Sequence, residues 1–151
     1  MSTGASAGLR VVLDTNVLVS AFTSSRPGIS SQIWIMARDQ RFRLLASPAL
    51  ITEAADVLRR KFSWDQERVS GRVKLLSKTA EMVVPKLALR VVPEDDDDNR
   101  ILECAVAGRA SLIVSSDHHL RKLDSYEGIS IVTPIAFHRL FPQEFLRLPQ
   151  K

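Results

Sequence analysis

A short apolar run near the amino end of the chain constrains the fold more than any other feature. The run from Leu9 to Leu13 is rich in β-branched residues, and the polar triplet Asp14-Thr15-Asn16 follows it directly. A run this short and apolar is typical of a strand buried on both faces, as in a parallel sheet. We therefore expect Asp14 at the carboxyl end of a central strand, where open α/β sheets place their ligand crevice.

Two explanations for Asp14 follow from this position. Aspartate is a favoured N-cap, so Asp14 could simply begin the helix expected near Val17. An ionised carboxylate beside buried chain is costly unless it is paired or coordinates a metal, which makes Asp14 a candidate ligand as well. The sequence around Asp14 alone favours neither explanation. Metal binding would require further ligands from elsewhere in the chain.

Strand and helix patterns alternate along the remaining sequence. Ser47-Pro48 has the residues of a helix start, and Gly108 is expected to end the helix that follows an acidic run. This alternation predicts an α/β sandwich with a mostly parallel sheet. The predicted strands are 9–13, 42–45, 81–84, 112–114 and 129–132, with an extended piece at 89–92. The predicted helices are 17–22, 29–39, 49–62, 66–79, 120–123 and 134–140, together with one that follows the acidic run and ends at Gly108.

Length and composition predict one ordinary globular domain. The chain of 151 residues is 45% hydrophobic and 25% charged, and we place the domain at 9–141 between a disordered tail at 1–8 and a second tail at 142–151. Its single cysteine, Cys104, cannot form an internal disulfide and is expected in the core. No apolar run approaches the ~18 residues of a membrane span, and no signal peptide is recognisable. These observations predict a cytoplasmic protein with no membrane contact.

The distribution of charge along the chain is more informative than the net charge. The net charge is +4, yet six acids cluster at one locus, which comprises the run from Glu94 to Asp98 and, one helical turn later, Glu103. Four consecutive aspartates repel one another and exceed what a helix cap requires. A local acidic cluster on a basic body suits a metal-dependent enzyme that acts on phosphates.

Several acids are expected to meet at one edge of the sheet. Asp14 and Asp117 each follow a predicted strand, and Asp98 lies at a helix start, so a parallel sheet places all three at its carboxyl edge. Glu53 lies on the inward stripe of its helix and joins them if that helix crosses the edge. Four carboxylates specify a hard divalent cation, Mg²⁺ or Mn²⁺.

The order and spacing of these motifs resemble the PIN domain family, and more narrowly the single-domain, VapC-like toxins of toxin–antitoxin operons. The resemblance extends from about Leu9 to Phe141. The motifs that carry it are Val-Leu-Asp14-Thr-Asn-Val, Ser47-Pro-x-x-x-x-Glu53, Asp95-x-x-Asp98-x-x-Ile-Leu-Glu-Cys-Ala and Val-Ser115-Ser-Asp117.

This resemblance implies a three-layer α/β/α sandwich with about five strands and a Mg²⁺- or Mn²⁺-dependent endoribonuclease. It implies four catalytic metal carboxylates, namely Asp14, Glu53, Asp98 and Asp117. Thr15, Asn16 and Ser115 would support the ligands or their waters. Relatives often have proline where this chain has Asp96, so the alignment of the acidic run with the family motif is open. Asp98 fits the position of the metal ligand best, and Asp95 or Asp97 is the alternative.

Partners are also implied by the resemblance. Basic residues that flank the acidic site in sequence are candidates for RNA phosphate contacts, and these are Arg100, Arg121 and Lys122. A small cognate antitoxin is expected over the helices 29–37 and 49–62, and homodimerisation is expected by analogy with the family.

Other interpretations remain beside this one. A non-catalytic RNA- or protein-binding module could use the same fold. Asp14-Thr15-Asn16 also resembles the start of haloacid-dehalogenase phosphatases, but these need a second acid where Asn16 stands. His118-His119 could mark a transition-metal site, although an exposed turn after a strand explains the pair more simply.

Overall fold

A six-stranded sheet runs through the centre of the computed structural model, which describes residues 8–26, 28–92 and 96–141. Its strands are β1 (Arg10–Leu13), β2 (Arg43–Ala46), β3 (Glu81–Met82), β4 (Leu112–Val114), β5 (Ser125–Tyr126) and β6 (Ile129–Val132). The spatial order is β3-β2-β1-β4-β6-β5. Every neighbouring pair is parallel except β5 with β6. The mostly parallel sheet is confirmed, with one strand more than predicted because Ser125–Tyr126 adds a short hairpin at one side.

Helices cover both faces of this sheet. They are α1 (Thr15–Thr23), α2 (Ile29–Arg38), α3 (Pro48–Phe62), α4 (Gln66–Thr79), α5 (Asp96–Ala107), α6 (His118–Leu123) and α7 (Pro134–Leu140). One hydrophobic cluster joins the sheet to α1, α2, α3, α4 and α7, and a second joins it to α5 and α6. The described residues therefore form the predicted three-layer α/β/α sandwich.

Strand β1 lies in the middle of the sheet and divides its side chains between the two clusters. Val11 and Leu13 pack into the first cluster, and Val12 packs into the second. Each of these residues is at most 1% exposed. Parallel pairing sets Val12 beside Leu45 of β2 and Ile113 of β4. The first apolar run is thus buried on both faces, as its composition predicts.

The segment before α5 departs from the sequence-based expectation. The third strand ends at Met82 rather than at residue 84, and residues 89–92 form no strand in the described part of the chain. Side chains of α5 bind this backbone instead. The Leu89 N–H donates to Glu103 Oε2 at 2.7 Å, and Asn99 both accepts from the Val92 N–H and donates to the Val92 carbonyl, each at 2.7 Å. These bonds satisfy backbone groups that a strand partner would otherwise pair.

Two local predictions from the sequence are confirmed. Ser47 caps α3, since its Oγ accepts from the Leu50 N–H at 3.3 Å and Pro48 is the first helical residue. Cys104 is fully buried, and burial raises the pKa of its thiol to about 12.

No helix among the described residues is long and apolar enough to cross a membrane. The predicted tails, 1–8 except for Gly8 and 142–151, lie outside the described residues.

Gly108 follows α5 as predicted, but the reason for glycine differs from the expected cap. The left-handed backbone conformation falls on Arg109, whose φ is 56°. At Gly108 the constraint is space: an added Cβ would lie 2.8 Å from Leu45 Cδ1 and 3.1 Å from the Cys104 carbonyl oxygen. The absence of a side chain lets the end of α5 approach the sheet closely.

Two glycine substitutions should therefore have opposite effects on stability. Gly108→Ala is expected to lower the free energy of unfolding by about 1–3 kcal/mol, because the new methyl group overpacks the core. Gly71→Ala, within α4 and with nothing within 4 Å of the added Cβ, should raise it by about 0.5–1 kcal/mol. Urea unfolding of both variants tests the packing at Gly108, and equal effects would contradict it.

Candidate metal centre

Asp14 lies directly beyond β1 and is held beside the end of β4. Its backbone N–H donates to the Val114 carbonyl at 2.9 Å. Its side chain is only 4% exposed. The parallel register of the two strands therefore places a buried carboxylate at the carboxyl edge of the sheet, next to the residues that follow Val114.

The Ser115 hydroxyl connects two of the predicted ligands. It donates to Asp14 Oδ2 at 2.5 Å and accepts from the Asp117 N–H at 2.9 Å. Ser115 itself is fully buried. The Asn16 backbone N–H lies 3.4 Å from Asp14 Oδ1, and Thr15 is buried as the first residue of α1. The supporting roles of Thr15 and Asn16 stay predictions. Asp14 is the N-cap of α1 and Asp117 is the N-cap of α6, so both candidate ligands also cap helices.

Asp98 is the aspartate of the acidic run that reaches this position. It is 3% exposed, whereas Asp96 and Asp97 are exposed. Its carboxyl group is within hydrogen-bonding reach of Asp117. Donor atoms of Asp98, Asp117 and His119 lie within 4.8 Å of one another. This geometry favours Asp98 as the ligand within the acidic run. The alternative Asp95 lies outside the described residues.

Glu53 approaches the same region from α3, which begins after β2 and contacts α5. Its side chain is partly exposed rather than on the fully buried stripe. The carboxyl group is within hydrogen-bonding reach of Asp97. The structure therefore brings Glu53 to the exposed neighbour of Asp98, beside the group formed by Asp98, Asp117 and His119.

Burial and like charge set the electrostatics of these carboxyl groups. Burial raises the pKa of Asp14, the hydrogen bond from Ser115 opposes this, and the charge of Asp117 adds to it. Burial, with the charge of Asp97, also raises the pKa of Glu53. At Asp117 burial acts to raise the pKa, but hydrogen bonds from Asp98 and from the N–H groups of Leu120 and His119 outweigh it, so the pKa is lowered.

The donor set fits a hard divalent cation. Asp14, Asp98 and Asp117 present carboxylate oxygens from three elements at one edge of the sheet, and oxygen is the donor that Mg²⁺ and Mn²⁺ prefer. A cation would also relieve the cost of placing negative groups together in a poorly solvated position.

Arg100 and Glu103 have a structural role away from this group. Arg100 Nη2 lies 2.9 Å from Glu103 Oε2 and donates to the Leu89 carbonyl at 3.2 Å. Glu103 follows the acidic run in the sequence, but its carboxylate binds the segment before α5 through the Leu89 N–H. Arg100 is occupied by the same contacts, which leaves the exposed Arg121 and Lys122 of α6 as the stronger candidates for phosphate contacts.

Sequence reasoning missed two residues. His119 was expected in an exposed turn, but its Nδ1 lies 3.9 Å from Asp117 Oδ1, whereas His118 is exposed as expected. The available signal was the spacing of His119 from Asp117, because a side chain that can bind metal stands two residues after an N-cap aspartate. Asn99, next to Asp98, binds the Val92 backbone. In the sequence it is one more polar residue after the acidic run, and no signal indicated this contact.

Comparisons with known proteins agree with this fold. The model of the PIN domain family matches residues 10–119, so the chain belongs to the PIN domain family. The structure is similar to VapBC2 from Rickettsia felis bound to a DNA fragment from its promoter, with a TM-score of 0.60, 15% identity, and coverage of 83% of this chain and 98% of that chain. It is also similar to PAE2754 from Pyrobaculum aerophilum, with a TM-score of 0.56, 17% identity and 93% coverage of both chains. The comparison with curated proteins gives no match.

The opposite pKa shifts of Asp14 and Asp117 predict different pH profiles for metal-free protein. A raised folded-state pKa gives stability that is full below the unfolded pKa and is lost as pH rises through the folded pKa. Asp14→Asn should therefore gain stability relative to wild type as pH rises above 3.8, the ordinary pKa of an aspartate. Asp117→Asn should show no such gain, since the stabilising effect of that ionised carboxylate is retained above its ordinary pKa.

Urea unfolding in EDTA at several pH values measures both profiles. Parallel profiles for the two variants, or a fall in the relative stability of Asp14→Asn with rising pH, would contradict the electrostatic account of the site.

Proposed function

We propose that this PIN domain protein is a metal-dependent endoribonuclease that hydrolyses RNA phosphodiester bonds with Mg²⁺ or Mn²⁺, as the toxin of a toxin–antitoxin pair. The observation that supports the proposal is the position of Asp117, which is joined to the buried Asp14 through the Ser115 hydroxyl and lies beside the buried Asp98 at the carboxyl edge of the sheet. The similarity in fold to VapBC2 supports the choice of a toxin.

The proposed roles follow from where each carboxyl group lies. Asp14 and Asp98, the most buried, would bind the cation directly. Asp117 and Glu53, which are more exposed, would position the attacking water or a second ion, and Asp117 lies close enough to Asp98 to share its cation. Ser115 would hold Asp14 and Asp117 in register. A bound divalent cation supplies Lewis-acid chemistry, which activates water and neutralises charge at the phosphate.

RNA would approach over α6, whose Arg121 and Lys122 are exposed close to Asp117 in the chain. Their cationic groups would contact backbone phosphates. Such contacts position the strand without reading its sequence and weaken as salt rises.

The direct test is cleavage of a labelled RNA by wild type, Asp14→Asn and Asp98→Asn with Mg²⁺ or Mn²⁺. Removing either ligand should lower the rate by more than about 100-fold, since several kcal/mol of transition-state stabilisation depend on the cation. Asp96→Asn is the matched control, because Asp96 is exposed in the same run, and it should cleave at the wild-type rate.

The product ends test the nucleophile. Attack by water leaves no 2′,3′-cyclic phosphate, whereas attack by the RNA 2′-hydroxyl does. Cleavage in EDTA or cyclic phosphate ends would contradict the mechanism. RNA binding without any cleavage would favour the non-catalytic binding module on the same fold.

Salt dependence tests the phosphate contacts. With Asp98→Asn as a non-cleaving background, Arg121→Ala and Lys122→Ala should each weaken RNA binding and reduce the slope of log Kobs against log salt by about 0.7, the value of one contact to a single strand. Lys74→Ala on α4 is the control and should leave the slope unchanged. Slopes that are equal for all three variants would exclude α6 as the RNA surface.

The remaining partners are proposed on the same basis. A small antitoxin, homodimerisation and a cytoplasmic location go with a toxin of this family. Helices α2 and α3 turn most of their apolar residues into the core, including Trp34, Met36, Leu50 and Leu58. An antitoxin on these helices would therefore meet mainly their polar faces. Hydrogen exchange should slow in α2 and α3 on adding the cognate antitoxin, and unchanged exchange would place the interface elsewhere.

A further inference from the structure

His119 lies within the group of potential metal donors that Asp98 and Asp117 form. The potential donor atoms of the three residues are within 4.8 Å of one another. The nearest pair between His119 and Asp117, Nδ1 and Oδ1, is 3.9 Å apart. Two donors that bind one ion at about 2.1 Å each lie at most about 4.2 Å apart. The imidazole and the Asp117 carboxylate are thus close enough to share an ion.

The start of α6 fixes His119 in this position. Asp117 is the N-cap, and its Oδ1 accepts from the N–H groups of His119 at 2.8 Å and Leu120 at 3.2 Å. The anchored Asp117 carboxylate therefore sets where the His119 side chain begins. His118, the preceding residue, is exposed and is not in the donor group. The two adjacent histidines differ in position although they share the same turn.

We propose that His119 is a nitrogen ligand of the cation held at Asp98 and Asp117, and that it makes the site prefer Mn²⁺ to Mg²⁺. The proposal rests on the metal site of the proposed function and adds a donor to it. Mg²⁺ strongly favours oxygen ligands and keeps much of its water, whereas imidazole is a ligand of first-row transition metals. A neutral nitrogen donor beside carboxylates therefore adds affinity for Mn²⁺ and little for Mg²⁺.

A purely electrostatic role for His119 is the competing explanation. The imidazole is 37% exposed and could stabilise the Asp117 carboxylate through space. That role requires no bond between nitrogen and metal. A spectroscopic signal from nitrogen bound to the cation separates the two explanations.

The experiment titrates metal-free, full-length protein at pH 7.5 with Mn²⁺, following free Mn²⁺ by electron paramagnetic resonance, and measures Mg²⁺ by competition. Wild type and the control variant His118→Ala should bind Mn²⁺ more tightly than Mg²⁺. His119→Ala should lose about tenfold or more in Mn²⁺ affinity with little change for Mg²⁺. Electron spin echo modulation of bound Mn²⁺ should show nitrogen coupling in wild type and His118→Ala, and none in His119→Ala.

The outcomes separate this inference from the proposed function. Tight Mn²⁺ binding without nitrogen coupling, or coupling that survives in His119→Ala, would overturn the role of His119 and leave the carboxylate site intact. Failure of wild type to bind either cation would overturn the site itself. If His119→Ala does not fold, wild type labelled with ¹⁵N-histidine still decides the matter, since ligation by histidine replaces the ¹⁴N coupling with a ¹⁵N coupling that His118→Ala retains.

Discussion

The Ser115 hydroxyl is the contact on which the arrangement of the site depends. It joins the residue after β1 to the residue that caps α6, through bonds to Asp14 Oδ2 and the Asp117 N–H. The bond to Asp14 requires β1 and β4 to be parallel neighbours in their observed register, whereas the bond from Asp117 is local to the segment after β4. The hydrophobic residues of the two strands therefore determine where the carboxylates meet.

This arrangement has an energetic cost that the core offsets. Asp14 and Asp98 are almost fully buried, and Asp117 lies close to both. Burying carboxylates beside one another is unfavourable without a cation. The central strand compensates through residues packed on both faces of the sheet, and such conflict between stability and local chemistry is typical of functional sites.

Much of the fold was readable from local patterns in the sequence. The burial of β1, the Ser47 cap and the bounds of α3 and α4 depend on neighbouring residues, which a sequence shows directly. Asp98 was preferred within its run because it lies three residues before Ile101, and its burial agrees with that preference. Its role as a ligand stays a prediction, as do those of Asp14, Glu53 and Asp117.

Side-chain contacts between distant elements were not readable in the same way. Glu103 follows the acidic run in sequence, yet it binds the Leu89 backbone, because the chain folds back over α5 before that helix begins. His119 resembles an exposed turn residue until β4 and α5 bring Asp98 beside it. Each case depends on the path of a loop or on the relative placement of two helices, and the spacing of His119 from Asp117 does not by itself show that Asp98 lies nearby.

The most direct test of the account is thermal melting of wild type and Asp98→Asn, each in EDTA and in Mn²⁺. If the carboxyl groups converge on a cation, Asp98→Asn melts at or above wild type in EDTA because a buried carboxyl group beside Asp117 is replaced by a neutral amide. Mn²⁺ then raises the melting temperature of wild type and has little effect on Asp98→Asn. If wild type shows no response to Mn²⁺ and Asp98→Asn melts lower, the aspartates serve only to cap helices, and the metal site does not exist.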